Sequence, residues 1–239
     1  LEFRRVLFRS SEYNGKTFKE LSVRDQRRLR NTSLRAIHIK QLKPSLRNDS
    51  VFHIFERLNT GGTQLKPQEI RNAVYRGAIV DEIKLLNANP DWRTILGLAS
   101  PDRLQKDVEI VLRLFSLFEV SSSYEKPMLR YLNREMDANK SFHSDRANRF
   151  KDRFPKVTKL VNEALVKPFR PRGVINTAML EGVMIALLEN PGVSVSQLRE
   201  RYEKLQKDTS FERYLRGATT DTQTVRERIK IAKDVLGDA

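Results

Sequence analysis

The sequence predicts a mainly α-helical protein with one small β element near its start. Apolar residues recur at helical spacing over most of the 239 residues,. The strict alternation typical of a half-buried strand is confined to residues 34–42,. No unit of about 20 to 50 residues repeats, which argues against a solenoid. The hydrophobic fraction of 39% and the charged fraction of 31% are those of an ordinary globular protein,.

The first two predicted elements lie before Pro44. A short basic helix is expected over residues 23–30, and the strand comes directly after it. In the strand, Ile37 and Ile39 share one face and polar residues occupy the other,. Pro44 ends the strand, because proline cannot donate to a sheet ladder.

The remainder of the chain is expected to form a helical bundle. Asp49 or Ser50 can cap the first of its helices, and Pro67 suits the first position of the next one. The strongest apolar pattern covers residues 102–119, which are apolar enough to lie in a core. The predicted helices cover residues 49–58, 67–77, 79–86, 102–119, 127–136, 145–154, 155–165, 175–189, 196–207 and 222–236.

The first ten residues join poorly to the rest of the sequence and are expected to be non-native. They lack the length and cleavage site of a signal peptide and resemble a translated adapter. Because an initiator Met is also missing, we expect a fragment of a longer protein. Residues 11–90 would be the remainder of one domain and residues 91–239 a helical domain. Residues 167–173, rich in Pro and Arg, are the candidate linker.

Composition excludes several classes of site. The chain has no Cys, which excludes disulfides, thiolate nucleophiles and iron–sulfur clusters,. With three His and no His-Glu-x-x-His or HNH-like spacing, we expect neither a metal site nor a nuclease centre,. No apolar run approaches the ~20 residues that span a bilayer. The sequence therefore predicts a soluble, cytoplasmic protein without a membrane partner.

The chain is strongly basic, and the excess is concentrated near its start. Lys and Arg number 45 against 30 Asp and Glu, a net charge of +15. The first 50 residues hold 13 of these basic residues against five acidic ones. Such a balance attracts polyanions, nucleic acid above all. A solvated surface that aids solubility would have the same composition, so both interpretations stay open.

The sharpest local signal is the string FERLNTGGTQLKPQEIRNA at residues 55–73. It predicts a helix, a turn at Gly61 and Gly62, and a second helix. Paired glycines let backbone N–H groups approach a ligand, and the second helix offers free amides to an anion. Arg71, one turn further on, can bind a phosphate or carboxylate bidentately. The same pattern also makes a good corner between two helices, so a purely structural role stays open.

This string, extended to Tyr75 and Gly77, resembles the signature of the GmrSD restriction-endonuclease N-terminal domain family, also described as domain of unknown function 262. Residues 107–115 and 124–133 resemble later segments of that family. The resemblance covers residues 13–136 well and the later helices more loosely. Because family members have a ParB/sulfiredoxin-like α+β core with helices after it, the resemblance implies that the predicted strand is a remnant of that core.

The resemblance implies a role in prokaryotic defence against foreign DNA. Family members bind and hydrolyse nucleoside triphosphates with Mg²⁺, and some partner or fuse with an HNH-type nuclease that cuts modified DNA. For this chain it implies a nucleotide or phosphate site at the glycine corner, with Glu69 as the candidate to act on water or hold Mg²⁺. The candidate binding residues are Asn59, Thr60, Gly61, Gly62, Gln68, Arg71 and Asn72.

The chain also departs from the family. The hallmark Asp-Gly-Gln-Gln-Arg string after a strand is missing. Asp25-Gln26-Arg27-Arg28 is similar but lacks the glycine and lies in a predicted helix, so it is interpreted as a solvated basic face. We therefore leave enzymatic activity undecided and expect little or no nucleotide hydrolysis. The alternative is a non-enzymatic, basic helical module that binds DNA or acts as a scaffold.

Two smaller patterns have simpler interpretations. Tyr202 and Tyr214 lie among basic residues, an arrangement that can stack on bases but more commonly reflects helix packing,. Glu109 and Arg113 are four residues apart in a predicted helix. This spacing favours an ion pair within that helix.

Overall fold

The computed structural model describes residues 13, 15–33, 49–58 and 65–237. Within these residues the chain is helical and contains no strand, which confirms the mainly α prediction. The predicted strand at 34–42 lies outside the described residues.

Twelve α-helices form within the described ranges. They are α1 Val23–Arg30, α2 Asp49–Leu58, α3 Pro67–Val74, α4 Ala78–Asn87, α5 Pro90–Leu96, α6 Lys106–Leu117, α7 Met128–Ala138, α8 Asp145–Ala164, α9 Thr177–Glu189, α10 Val195–Lys207, α11 Thr209–Arg213 and α12 Thr222–Leu236. Short 3₁₀ turns cover Phe18–Glu20 and Ser121–Ser123.

The chain divides into two compact units, Leu1–Lys43 and Pro44–Ala239. The first contains α1, whose start is capped by the Ser22 hydroxyl, which accepts a hydrogen bond from the Asp25 N–H (3.2 Å),. The second contains one continuous hydrophobic core, built from α2 through α12. Helices on both sides of residue 90 bury their apolar faces in this core.

Helix α9 lies at the centre of the second unit. All residues from Ala178 to Leu188 are buried, as expected for a helix that is apolar on every side,. The Asn176 side chain caps its start by accepting from the Met179 N–H at 2.9 Å. Helix α12 packs along α9 where Gly182 faces Arg228. A Cβ at position 182 would lie 3.2 Å from Cγ of Arg228, so the glycine permits this close approach.

A charged cluster is enclosed where α6, α9 and α12 meet. Glu181 is 1% exposed, and its Oε2 accepts from Arg113 Nε at 2.8 Å. Its Oε1 accepts from Nη2 of Arg228, which is fully buried. Nη1 of Arg228 donates to the backbone carbonyls of Tyr214 and Thr219. Two cations therefore share one carboxylate inside the core.

Helix α8 is continuous over 20 residues and contains Pro155. The prediction of two helices meeting at that proline is wrong. Phe154 and Val157, on either side of Pro155, are both buried in the core. This packing holds the helix together although proline removes one internal hydrogen bond.

The candidate linker at 167–173 is packed against the core. Phe169 is fully buried, and its N–H donates to the Tyr202 hydroxyl at 2.9 Å. Tyr202 is itself 6% exposed, which confirms its interpretation as a packing residue.

Candidate functional site

The predicted phosphate site is described in part. Gln68, Glu69, Arg71 and Asn72 lie on α3. Asn59, Thr60, Gly61 and Gly62 lie outside the described residues, and the backbone donors predicted at the glycine corner lie there with them.

At the start of α3, Glu69 bonds back to the residue that precedes the helix. Pro67 occupies the first helical position, where a missing N–H costs nothing,. The Glu69 Oε2 accepts a hydrogen bond from the Lys66 N–H at 2.8 Å. The candidate catalytic carboxylate therefore caps the helix that contains it.

Arg71 points into the protein rather than to solvent. It is 2% exposed, and its Nη1 donates to Gln68 Oε1 at 2.9 Å and to Glu109 Oε2 at 2.8 Å. Its Nε donates to Asn133 Oδ1 at 2.9 Å. The guanidinium carbon also lies 6.0 Å from the centre of the Phe52 ring. A phosphate contact by Arg71 would therefore require some of these bonds to open.

The same network extends along α3 to the residue before α6. Gln68 Nε2 donates to Asn72 Oδ1 at 3.0 Å, and Asn72 Nδ2 donates to Gln105 Oε1. Together with Arg71, these amides connect α3 to α6 and α7. We refer to Gln68, Arg71, Asn72, Gln105, Glu109 and Asn133 as the Arg71 network.

One donor in this network has no acceptor. Asn133 is 1% exposed, and its Nδ2 makes no hydrogen bond. Most buried polar atoms in native proteins are paired, so this amide nitrogen is a position where a water or a ligand oxygen would be stabilised. It lies on the side chain that accepts from Arg71.

Sequence reasoning missed the partners of Arg71. The prediction that Glu109 and Arg113 form an ion pair within one helix is wrong. Glu109 binds Arg71, and Arg113 binds Glu181 instead. A spacing of four residues shows that two side chains can meet, but it gives no information on competing partners from other helices. Asn133 lies in a stretch that carried the family resemblance.

A second candidate site is the arginine face of α1, formed by Arg24, Arg27 and Arg28. Their spacing places them on one side of the helix, and all three are exposed,. None makes an ion pair with another described residue. The acidic residue among them, Asp25, accepts from the Ser22 hydroxyl at 2.5 Å and from the Tyr13 hydroxyl at 3.3 Å. The arginine face therefore offers uncompensated positive charge to solvent.

The predicted helix over the Asp25–Arg28 string is confirmed. Its two arginines are exposed, as the interpretation of a solvated basic face requires. Because Asp25 bonds the start of its own helix, the string acts locally as a cap and a charged surface.

No cluster of three or more His, Asp or Glu side chains that could hold a metal ion occurs in the part of the chain that the structure describes. His53 lies 3.3 Å from Glu56 on the exposed side of α2, and His143 is exposed. His38 lies outside that part. Within the same ranges, every helix is too short or too polar for a membrane span.

Comparison with protein-family models, with curated proteins and with solved structures finds no match to this chain.

Proposed function

We propose that this chain binds the phosphate backbone of DNA through the arginine face of α1, as a cytoplasmic part of a prokaryotic system that acts against foreign DNA. The observation that carries the proposal is the exposure of Arg24, Arg27 and Arg28 without an ion-pair partner among the described residues. The defence context is supported by the resemblance of residues 55–77 to the restriction family. DNA cleavage would then belong to an HNH-type nuclease domain or subunit.

Three guanidinium groups on one helical face suit a row of phosphates. Arginine presents a planar fork that matches phosphate geometry, and each contact releases a condensed counterion. Phosphate contacts do not depend on base sequence. We therefore expect α1 to contribute affinity and salt dependence, and to contribute no sequence preference.

The test is the salt dependence of binding to a short DNA duplex, measured by fluorescence anisotropy. Each phosphate contact contributes a slope of about −0.9 to the plot of log affinity against log salt. The variant R24Q/R27Q/R28Q should therefore reduce the magnitude of the slope by about 2.7. The matched control is K84Q/K207Q/K230Q, which removes the same charge from exposed lysines that make no ion pair with a described residue.

An equal loss of slope in both triple variants would mean that net charge alone attracts DNA, and it would overturn the assignment to α1. An unchanged slope in R24Q/R27Q/R28Q would do the same. A duplex of different sequence should bind each protein with the same affinity.

A second candidate function, nucleotide binding, is supported by the buried Asn133 Nδ2 that has no acceptor. A triphosphate oxygen at this position would accept from Nδ2 beside Arg71, and Mg²⁺ would accompany the nucleotide as the resemblance implies. Binding would need the Arg71 network to rearrange, because Arg71, Gln68 and Asn72 bond one another or their neighbours.

The test for this candidate is the change in melting temperature on adding Mg²⁺ with ATP or GTP. A ligand that binds only the folded state raises the melting temperature. Asn133→Asp keeps an acceptor for Arg71 and replaces the free donor with an acceptor that repels phosphate. We expect a nucleotide-dependent increase for the unmodified chain, a smaller one for Asn133→Asp, and little or no hydrolysis. No increase with either nucleotide would contradict this function.

A further inference from the structure

A cavity of about 590 Å³ opens between the segment that precedes α9 and helix α11. Its inner wall is apolar. Met179 and Phe211, which line it, are 2% and 1% exposed. Ile175 and Leu215 form further apolar walls. The volume lies within the range of sites that bind small molecules.

The walls of this cavity are held by hydrogen bonds. The Asn176 N–H donates to the Phe169 carbonyl at 2.8 Å. The Asn176 side chain caps α9, and its Nδ2 donates to the Leu215 carbonyl at 3.4 Å. Asn176 therefore bonds to both walls of the cavity, and both walls belong to the second unit.

The polar groups at the mouth of the cavity leave one positive charge uncompensated. Arg216 is paired with Glu212 on the same rim. Arg172 is exposed and makes no ion pair or hydrogen bond with another described residue. The lining as a whole therefore has two guanidinium groups and one carboxylate above an apolar floor. This charge balance favours an anion over a cation or a neutral molecule.

We propose that the cavity binds a small organic acid with an apolar body. Its acid group pairs with the guanidinium of Arg172, and its body lies against Met179 and Phe211. An apolar pocket with one unpaired cation at its mouth orients such a molecule. The apolar body leaves water and enters the pocket, whereas the acid group stays at the mouth beside the cation, because a charge buried without a partner is costly. This inference does not depend on DNA or nucleotide binding.

The test uses isothermal titration calorimetry with dodecanoate below the concentration at which it forms micelles. The whole chain should bind dodecanoate saturably at one site. Arg172→Gln should weaken binding about tenfold, the size expected for a lost charge-assisted hydrogen bond. Val174→Asp should also weaken it, because Val174 is 74% exposed in the lining and a carboxylate there repels the acid. The matched control is Arg76→Gln, at an exposed arginine that is not in the lining.

Dodecylammonium has the same apolar body with the opposite charge and should bind much more weakly. Equal binding of both amphiphiles, or unchanged binding in both Arg172→Gln and Val174→Asp, would overturn the proposal. So would the absence of saturable dodecanoate binding. Competition by GTP that depends on Arg172 would identify the cavity as a nucleotide site and would also overturn it.

Discussion

Glu181 holds together the charged cluster at the centre of the second unit. Burial raises the pKa of its carboxyl, but the attraction of Arg113 and Arg228 outweighs burial, so the pKa lies below its ordinary value of 4.5,. The carboxylate is therefore charged at neutral pH, and its removal would leave the buried Arg228 and the partly buried Arg113 without their shared partner.

We expect Glu181→Gln to lower the free energy of unfolding by about 3–5 kcal/mol, the usual cost of breaking a buried ion pair on one side. Urea denaturation followed by circular dichroism measures this change. Glu203→Gln is the control, because Glu203 is exposed and should change stability by less than about 0.5 kcal/mol. A similar small effect at Glu181 would show that the cluster contributes nothing to stability.

The same carboxylate predicts a pH dependence. A folded-state pKa below the unfolded value gives stability that is present above the unfolded pKa and is lost as pH falls through the folded pKa. The stability difference between the unmodified chain and Glu181→Gln should therefore narrow as pH falls below the ordinary carboxyl pKa of 4.5 and through the lower folded-state pKa,. Urea midpoints at several pH values measure it. A constant difference would contradict the lowered pKa.

At the residue level, sequence reasoning identifies charged side chains but not their partners. The sequence predicts Arg71 as an anion ligand because of its place after the glycines, and it lies against Glu109 and Asn133 from two other helices. Those contacts join residues 38 and 62 positions apart. A local pattern holds no information about neighbours at such distances.

At the level of elements, capping residues and prolines predict the ends of helices correctly where tertiary packing favours the same ends. Helices α1 and α12 have the predicted bounds, and both start after residues of the capping type, Ser22 and Asp221. Helix α5 is absent from the predicted set, because its seven residues are too few for a periodic pattern,. The side chain of Asn89 nevertheless caps it by accepting from the Trp92 N–H, and this Asn-Pro start is a detectable signal.

Pro155 lies inside α8 and should limit its stability. Pro155→Ala restores a backbone N–H that can bond within the helix, and it also gives the unfolded chain more freedom. We expect a net gain of about 2 kcal/mol in the free energy of unfolding, because the ~3 kcal/mol cost of an interior proline exceeds the ~1 kcal/mol that its rigidity contributes. Urea denaturation measures this gain. Pro90→Ala is the control, because Pro90 occupies the first position of α5 and no bond is recovered there,. Destabilisation by Pro155→Ala would show that packing of the proline ring stabilises the protein by more than the missing N–H costs.

At the level of the whole molecule, composition predicts a globular chain and the spacing of apolar residues predicts a helical one, but neither predicts the division after Lys43. The Pro and Arg residues of 167–173 indicate a linker, yet Phe169 within it is buried. One large apolar side chain, Phe169, is enough to hold this stretch against the core. The sequence does not show the apolar surroundings that receive that side chain.

The division after Lys43 predicts that residues 44–239 fold independently. Among the residues that the structure describes, every member of the hydrophobic core, from Phe52 to Leu236, belongs to the second unit. Urea denaturation of residues 44–239 should give the same midpoint as the whole chain, while the salt dependence of DNA binding should decrease because α1 is missing. A lower midpoint would mean that the first unit contributes to stability.

The enclosure of α9 has a consequence for how this protein can change over generations. From Ala178 to Leu188 the helix has no solvent-facing position at which substitutions are free, so a comprehensive mutational scan should find this stretch the least tolerant of the chain. New specificities would then have to arise on the outer helices, whose surface residues can vary without disturbing the centre.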